Sequence, residues 1–231
     1  MCNRYESSEE DEVARDFETE GLDGDLWGAA VSPLGQAPFI DASGRARAGQ
    51  WGMIPPRSAT HVPTGREGRR MSTNNARRET MATSWTFRDA WHRGRRCIIP
   101  ARHWVEPYWG TGRNIWWAFR RADGDYCALA GLWSEWTDPA TGVVWPSFTM
   151  VTQDAAAHPL LASMHRPDKG ESRSVVMLER QDWDAWLHGT PAHAEAVIRL
   201  PERGRLVSGP ENPADEVRIQ AGQLAHLQSL G

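Results

Sequence analysis

Three runs of aromatic and β-branched residues in the middle of the chain limit most strictly what this sequence can fold into. They cover 114–120, 126–136 and 143–152, and turn-forming residues separate them, including Ala-Asp-Gly-Asp at 122–125. Runs of this length and composition between turn signals are typical of β-strands, and short connections favour antiparallel neighbours. The segment therefore predicts an antiparallel meander.

Helical signals lie on both sides of these runs. Ser7 and Glu10 have the spacing of a capping box, which predicts a helix that begins near residue 8. Apolar residues three and four apart predict the other helices. Helices are predicted over 8–20, 84–94, 154–164 and 179–187, and further strands near 39–40 and over 50–56, 97–100 and 173–178.

The length of the chain and the order of these elements indicate one domain. The 231 residues suit one large domain, and the sequence has no internal repeat and no clear linker. We expect a single α+β domain over 1–205, a mainly antiparallel sheet flanked by helices, followed by a polar C-terminal tail over 206–231. The polar stretch 57–73 predicts a long surface loop of the kind that is often functional.

Cysteine usage and hydropathy restrict the class of protein. Cys2, Cys97 and Cys127 are too few for a disulfide framework and have no zinc-binding spacing. No apolar run approaches the ~18 residues that suggest a membrane span. The first ten residues lack the basic and apolar regions of a secretory signal. We expect a cytoplasmic protein with no membrane partner, no metal and no cofactor.

Charge is distributed unevenly along the chain. Residues 6–25 carry ten acids and one base, whereas 45–121 carry sixteen arginines and four acids. Lys169 is the single lysine among 26 basic residues, and there are 13 tryptophans. Guanidinium groups grip phosphate and indoles stack on unpaired bases, so the composition favours single-stranded nucleic acid as a partner. A codon bias toward arginine and tryptophan is the alternative explanation.

Cys2 has the most distinctive chemistry. Its small side chain permits removal of Met1, which would leave an N-terminal cysteine with an amine and a thiol on adjacent carbons. Ordinary pKa values of about 8 for the amine and about 8.5 for the thiol leave both partly unprotonated at neutral pH. Such a 1,2-aminothiol condenses with an aldehyde to an imine and then closes a thiazolidine ring. Alternatively, it attacks a peptide carbonyl, as N-terminal-nucleophile hydrolases do.

Five short motifs follow one another along the chain. They are MCNRY at 1–5, WGMIP at 51–55, NARRET at 75–80, CIIPARHWVE at 97–106, and the segment around His165. Their order, from residue 2 to about 187, resembles the SOS response-associated peptidase (SRAP) family. The resemblance implies a barrel-like sheet, a basic channel for single-stranded DNA, and covalent capture of abasic sites by mature Cys2.

The resemblance also assigns chemical roles to three further residues. Asn75 matches the family's asparagine, whose amide orients the amine and the sugar hydroxyls. Glu106 would move protons as the adduct forms, and His165 would act as a base toward the sugar. His103 and His158 are nearby in the sequence, but neither falls at the matching place.

Contacts with DNA are predicted for arginines and tryptophans. Arg4 and Arg77 resemble the family's phosphate-binding arginines, and Arg78 adjoins them. Trp51 and Trp85 flank the NARRET segment and are predicted to stack on bases. The tryptophans in the strand runs, Trp116, Trp117 and Trp133, are predicted to be core.

Three segments depart from the family's usual pattern. Asn3 stands where many members have glycine, Ala-Val-Ser-Pro at 30–33 replaces Asn-Val-Ala-Pro, and His-Arg-Pro at 165–167 replaces His-x-Arg-Met-Pro. These changes concern DNA contacts and the placement of the histidine. They leave Cys2, Asn75 and Glu106 untouched.

Three functions follow, in order of preference. The first is capture of abasic sites in single-stranded DNA, with autoproteolytic removal of residue 1, by a monomer that joins the nucleoid during DNA damage. The second is an N-terminal-nucleophile cysteine peptidase or amidase. The third is a non-catalytic single-stranded nucleic-acid-binding protein.

Overall fold

The long strand Arg96–Tyr108 organises the fold, because four other strands pair with it along its length. The computed structural model describes residues 2–19, 22–23, 27–65, 67–166, 168, 170–219 and 221–231. The strands are β1 Arg4–Ser7, β2 Leu22–Asp23, β3 Ala30–Val31, β4 Gln36–Asp41, β5 Ala46–Trp51, β6 Asn75–Arg77, β7 Arg96–Tyr108, β8 Ile115–Arg121, β9 Cys127–Thr137, β10 Val144–Asp154, β11 Arg173–Val175, β12 Met177–Leu178 and β13 Leu206–Pro210.

Short helices surround the strands, as an α+β fold requires. The α-helices are α1 Glu10–Asp16, α2 Arg78–Met81, α3 Arg88–His92, α4 Trp183–Leu187, α5 Pro191–Ala196 and α6 Ala221–Ser229. Short 3-10 helices cover Leu161–Ser163, Arg180–Asp182 and Pro213–Arg218. Within the residues described, no helix is both long and apolar enough to cross a bilayer.

Five strands close a barrel in the order β4, β5, β10, β9, β7 and back to β4. Strands β5 and β10 run parallel, with Gln50 opposite Ser147, and the other four contacts of the ring are antiparallel. Closure leaves these strands without a free edge in the ring. The expected single α+β domain with a mainly antiparallel, barrel-like sheet is confirmed.

The meander predicted from the three central runs is wrong at its first step. β8 and β9 do not pair with each other; both pair with β7, β9 along 96–101 and β8 along 104–108. The turn at 122–125 therefore does not reverse the chain. It joins β8 to β9, and the two strands follow one another along β7 in the same direction. The second step is confirmed, since β9 and β10 form a hairpin with Trp136 opposite Trp145.

Aromatic side chains pack together in the main hydrophobic core. Trp104 stacks on Phe119 at 5.3 Å between ring centroids, and Tyr5 meets Trp51 edge-on at 5.1 Å. All four rings are buried. Large apolar rings of this kind contribute most of the stability of such a core, so the strands that carry them are held in one register.

Strand β1 brings the N-terminus against β7. Tyr5 lies opposite Trp104, and Ser7 opposite Ala101. The predicted capping box of Ser7 and Glu10 is wrong because Ser7 still belongs to this strand. The helix instead starts two residues later, with a capping box formed by Glu9 and Glu12.

The segment 206–231, which we predicted to be a polar C-terminal tail, contains a strand and a helix among its described residues. Strand β13 pairs with β8, with Ser208 opposite Phe119, and so extends the sheet. Ile219 and Leu227 are buried in the main core. These few apolar residues, spaced among polar ones, give too weak a local pattern to reveal the strand and helix that they anchor.

Candidate active site

Cys2 lies buried two residues before β1, and two asparagine side chains hold it. The amide Nδ2 of Asn75 donates to the carbonyl oxygen of Cys2 at 2.7 Å, and Nδ2 of Asn74 donates to the same oxygen at 3.1 Å. Asn75 reaches this place because β6 runs parallel to β10, with Asn75 opposite Met150. The backbone of Cys2 is therefore fixed by side chains from a distant strand.

The thiol of Cys2 is neutral at physiological pH. Burial, followed by the nearby carboxylate of Glu106, raises its pKa well above the ordinary cysteine value. The Sγ–H group donates to the backbone oxygen of Arg4 at 3.2 Å. A sulfur in this environment is protected from reactions that need a thiolate.

The side-chain oxygen of Asn75 is a hydrogen-bond acceptor that the described residues leave unused. This Oδ1 atom is buried and has no hydrogen-bond partner among the residues that the structure describes. A buried acceptor without a partner is costly, and such atoms in native proteins usually await a ligand or water. This oxygen can accept from an amine or from a sugar hydroxyl.

Glu106 and His165 form a pair beside Cys2. His165 Nε2 lies 3.1 Å from Oε2 of Glu106, whose side chain is fully buried, while the imidazole is 12% exposed. Glu106 points inward from β7, where it lies opposite Trp117. A carboxylate and an imidazole in contact can hold or pass a proton between the interior and solvent.

The backbone of His165 is strained. Its φ is +72°, in the left-handed region that residues other than glycine rarely adopt. Its N–H donates to Pro107 O at 2.7 Å, and the preceding Met164 pairs with Tyr108, so contacts with β7 hold this conformation. The helix predicted over 154–164 is wrong: only the turn Leu161–Ser163 forms, because the chain must bend toward β7.

The rival histidines lie outside this arrangement. His103 faces Glu6 at 3.5 Å, and burial, reinforced by Arg120, lowers its pKa. His158 accepts a hydrogen bond from Leu161 N, and burial lowers its pKa too. Both are structural in these positions, which agrees with their lower rank in the sequence analysis.

A cavity of about 520 Å³ opens beside His165. Its walls combine indoles, amides and arginines, and Arg166 stacks over Trp109 at 5.0 Å from the ring centroid. Flat aromatic faces beside guanidinium groups suit a nucleotide. The lining residues are Asn3, Arg77, Pro107, Trp109, Asn114, Trp116, His165, Arg166, Glu171 and Arg173.

The three predicted phosphate-binding arginines have different surroundings. Arg77 lines the cavity and pairs with Glu171 through two contacts of 3.0 and 2.9 Å. Arg4 pairs with Glu211 at 3.1 Å. Arg78 instead bonds Glu195 and the carbonyl of Ile198, which places it outside the cavity, against α5.

The tryptophan predictions are partly wrong. Trp51 is fully buried, and its indole N–H donates to Asn74 O at 2.9 Å, so it cannot stack on a base. Trp85 is 47% exposed but does not line the cavity. Trp116, which we predicted to be core, is 38% exposed and lines it. Strand alternation could have revealed this, since Trp116 and buried Trp117 must face opposite ways.

No cluster of three or more histidine, cysteine or acidic side chains suited to a metal ion occurs in the described part of the chain. The side chains gathered at the site are the thiol of Cys2, the amides of Asn74 and Asn75, and the contacting carboxylate and imidazole of Glu106 and His165.

Comparison with known proteins identifies the family. The profile of the family "SOS response associated peptidase (SRAP)" matches residues 1–208. The chain belongs to this family. A search of curated protein sequences gives no significant match.

Solved structures support the same fold. A protein from Bordetella bronchiseptica is 32% identical, with a TM-score of 0.81, covering 91% of this chain and all of its own. A protein from Bacteroides thetaiotaomicron is 19% identical, with a TM-score of 0.75 and 95% of each chain covered. A phage-related protein from Bordetella bronchiseptica is 19% identical, with a TM-score of 0.61, covering 90% of this chain and 92% of its own.

Proposed function

We propose that this SRAP protein captures abasic sites in single-stranded DNA through Cys2. The observation that carries the proposal is the juxtaposition of Cys2 with Asn75 and with the Glu106–His165 pair, next to a cavity lined by arginine and tryptophan. An abasic site in its ring-opened form presents an aldehyde, which is the electrophile that an N-terminal aminothiol traps most durably.

The reaction begins once Met1 has been removed and the amine of Cys2 is free. The amine attacks the sugar aldehyde carbon, and the resulting carbinolamine loses water to give an imine. The Glu106–His165 pair supplies the proton that the departing hydroxyl needs and takes up the proton that the nitrogen releases. The free oxygen of Asn75 orients the amine during these steps.

Ring closure makes the capture lasting. The Cys2 sulfur adds to the imine carbon, its proton passes to the nitrogen, and a five-membered thiazolidine results. One water is lost overall. Because burial raises the pKa of the thiol, we expect it to react only slowly with other electrophiles before the imine has formed.

The lining of the cavity supports a single nucleic-acid strand as the partner. Arg77 and Arg166 face it with guanidinium groups that match phosphate geometry, and Trp109 and Trp116 offer faces for unpaired bases. A duplex would hold its bases stacked away from these indoles, which favours single strands.

The buried, neutral thiol argues against a general cysteine peptidase. Peptidases of that kind activate a thiolate with a lowered pKa, whereas burial raises the pKa of Cys2. Self-removal of residue 1 remains part of the proposal, since capture needs the free amine.

A gel assay tests the proposal. Met1-free protein is incubated with a single-stranded oligonucleotide that carries one abasic site, and with the intact oligonucleotide as a control. We expect a band that survives denaturation with the first only, and none with Cys2→Ser. Salt-sensitive binding without any covalent band would support the nucleic-acid binder instead, and Cys2-dependent cleavage of peptides would support the peptidase.

A further inference from the structure

A second amide besides Asn75 holds Cys2. Asn74 donates from Nδ2 to the Cys2 carbonyl at 3.1 Å and to the Asn3 side-chain oxygen at 3.2 Å. We propose that Asn74 is a positioning residue, which sets the direction in which the Cys2 amine and thiol face the aldehyde. This inference rests on the proposed function.

The Asn74 amide has one orientation, fixed by its neighbours. Ser72 Oγ donates to Asn74 Oδ1 at 2.9 Å, which leaves Nδ2 to face Cys2. The backbone is held as well, because the indole of Trp51 and the N–H of Met150 both donate to Asn74 O, at 2.9 and 3.0 Å. Asn74 is buried, so these bonds are not exchanged with bulk water.

The buried indole of Trp51 thereby belongs to the site, although not to the DNA surface. It fixes the backbone that presents both Asn74 and Asn75 to the N-terminus. A chain of contacts runs from the barrel core through Trp51 and Asn74 to Cys2.

Two donors on one carbonyl restrict rotation about the bond between Cα and the carbonyl carbon of Cys2. Both nucleophiles branch from that Cα, so their direction relative to Glu106 is set by the same restriction. If only Asn75 donates, a single hydrogen bond holds the Cys2 carbonyl group, and Cys2 can rotate about that bond. Orientation of reacting groups is worth large factors in rate, so loss of the second donor should slow capture more than it weakens binding.

The test separates rate from affinity in the Met1-free protein. Asn74→Leu and Asn74→Asp keep the approximate shape of the side chain and remove its N–H donors. We expect the single-turnover adduct rate at saturating abasic oligonucleotide to fall about tenfold, while affinity for the intact strand stays within about twofold. Ser72→Ala, which releases the amide without removing it, should give a smaller fall in rate.

A stability control accompanies these variants. Val13 lies on α1, in a hydrophobic cluster separate from the main core that contains Cys2, and Val13→Ala should lower the melting temperature without removing a contact to Cys2. Its adduct rate below the transition should equal that of the wild type. If Asn74→Leu does not fold, Ser72→Ala carries the test.

A small aldehyde distinguishes failure of this inference from failure of the proposed function. Glyoxylate forms a thiazolidine with an accessible N-terminal cysteine, which intact mass detects. A wild-type protein that reacts with glyoxylate but not with abasic DNA contradicts the proposed function, and the slower glyoxylate reaction of Asn74→Leu still supports the inference. Wild-type rates in Asn74→Leu and Ser72→Ala, or equal losses of rate and affinity, overturn it.

Discussion

Nε2 of His165 lies 3.1 Å from Oε2 of Glu106, and this contact joins the end of β7 to a turn that is distant in the sequence. The carboxylate is fully buried and the imidazole reaches the cavity, so the pair spans the boundary between Cys2 and solvent. A proton that leaves or enters the reacting centre can pass through it.

Because the backbone of His165 is strained, substituting it with glycine or with alanine can distinguish a chemical role of the imidazole from a structural one. Glycine accepts a φ of +72° without strain, so His165→Gly should fold at least as well as His165→Ala. Both should form the adduct more slowly, by about 10² or more, because the proton carrier is lost. Melting temperatures and single-turnover rates measure the two effects. A wild-type rate in His165→Gly would remove the imidazole from the mechanism.

The pH dependence of Cys2 alkylation reports on Glu106. Burial and the Glu106 carboxylate both raise the thiol pKa, so iodoacetamide should modify Cys2 slowly at neutral pH and faster as pH rises. In Glu106→Gln the negative charge is gone, the pKa falls, and modification should begin at lower pH. Mass spectrometry of separate peptides distinguishes Cys2 from Cys97 and Cys127. An unchanged profile, or a shift to higher pH, would place Glu106 too far away to act.

Trp116 and Trp85 are both exposed, but we expect their loss to affect DNA binding to different extents. Trp116 lines the cavity, whereas Trp85 does not. Loss of one base-stacking contact costs roughly 1–3 kcal/mol, so Trp116→Ala should weaken binding of an intact single strand at least about fivefold. Trp85→Ala should change it less. Fluorescence anisotropy measures both, and a larger loss for Trp85→Ala would restore the prediction made from the sequence.

The carboxylate of Glu171 pairs with Arg77, and it would compete with a DNA phosphate for the guanidinium group. Glu171 occupies the guanidinium through two contacts, and both side chains are about half exposed. Exposed pairs of this kind are weak, so phosphate can displace the carboxylate but must overcome its charge. Glu171→Gln should raise affinity for a single strand about threefold at low salt, and less at high salt.

A second acid provides the control for Glu171. Glu67 pairs with Arg69 outside the cavity, at 3.9 Å. Glu67→Gln changes the net charge by the same amount, so equal gains in both variants would show that only net charge matters.

Local patterns in the sequence were sufficient to predict some of the strand pairings but not others. The hairpin of β9 and β10 follows from two runs of aromatic and β-branched residues joined by a short connection. The parallel contact of β5 with β10 does not, because nothing local records which distant strands pair. Turn residues at 122–125 signal a turn, but not whether the chain reverses there.

The site was predicted through the family's motifs rather than through periodicity. Cys2, Asn75, Glu106 and His165 lie close together in the structure, and the chemical roles that the resemblance implies for them stay predictions. Asn74 was missed because the sequence cannot tell which of two adjacent amides faces inward, and here a β-strand start lets both reach Cys2.

The position of the covalent bond tests the central claim most directly. Met1-free protein is treated with single-stranded DNA that carries an abasic site, and the intact mass of the product is measured. The product is then digested, and tandem mass spectrometry of the peptides locates the linked residue. We predict a product equal to protein plus oligonucleotide minus one water, resistant to borohydride and linked at residue 2. A borohydride-reducible adduct at Lys169, the single lysine of the chain, or no adduct at all, would contradict the account.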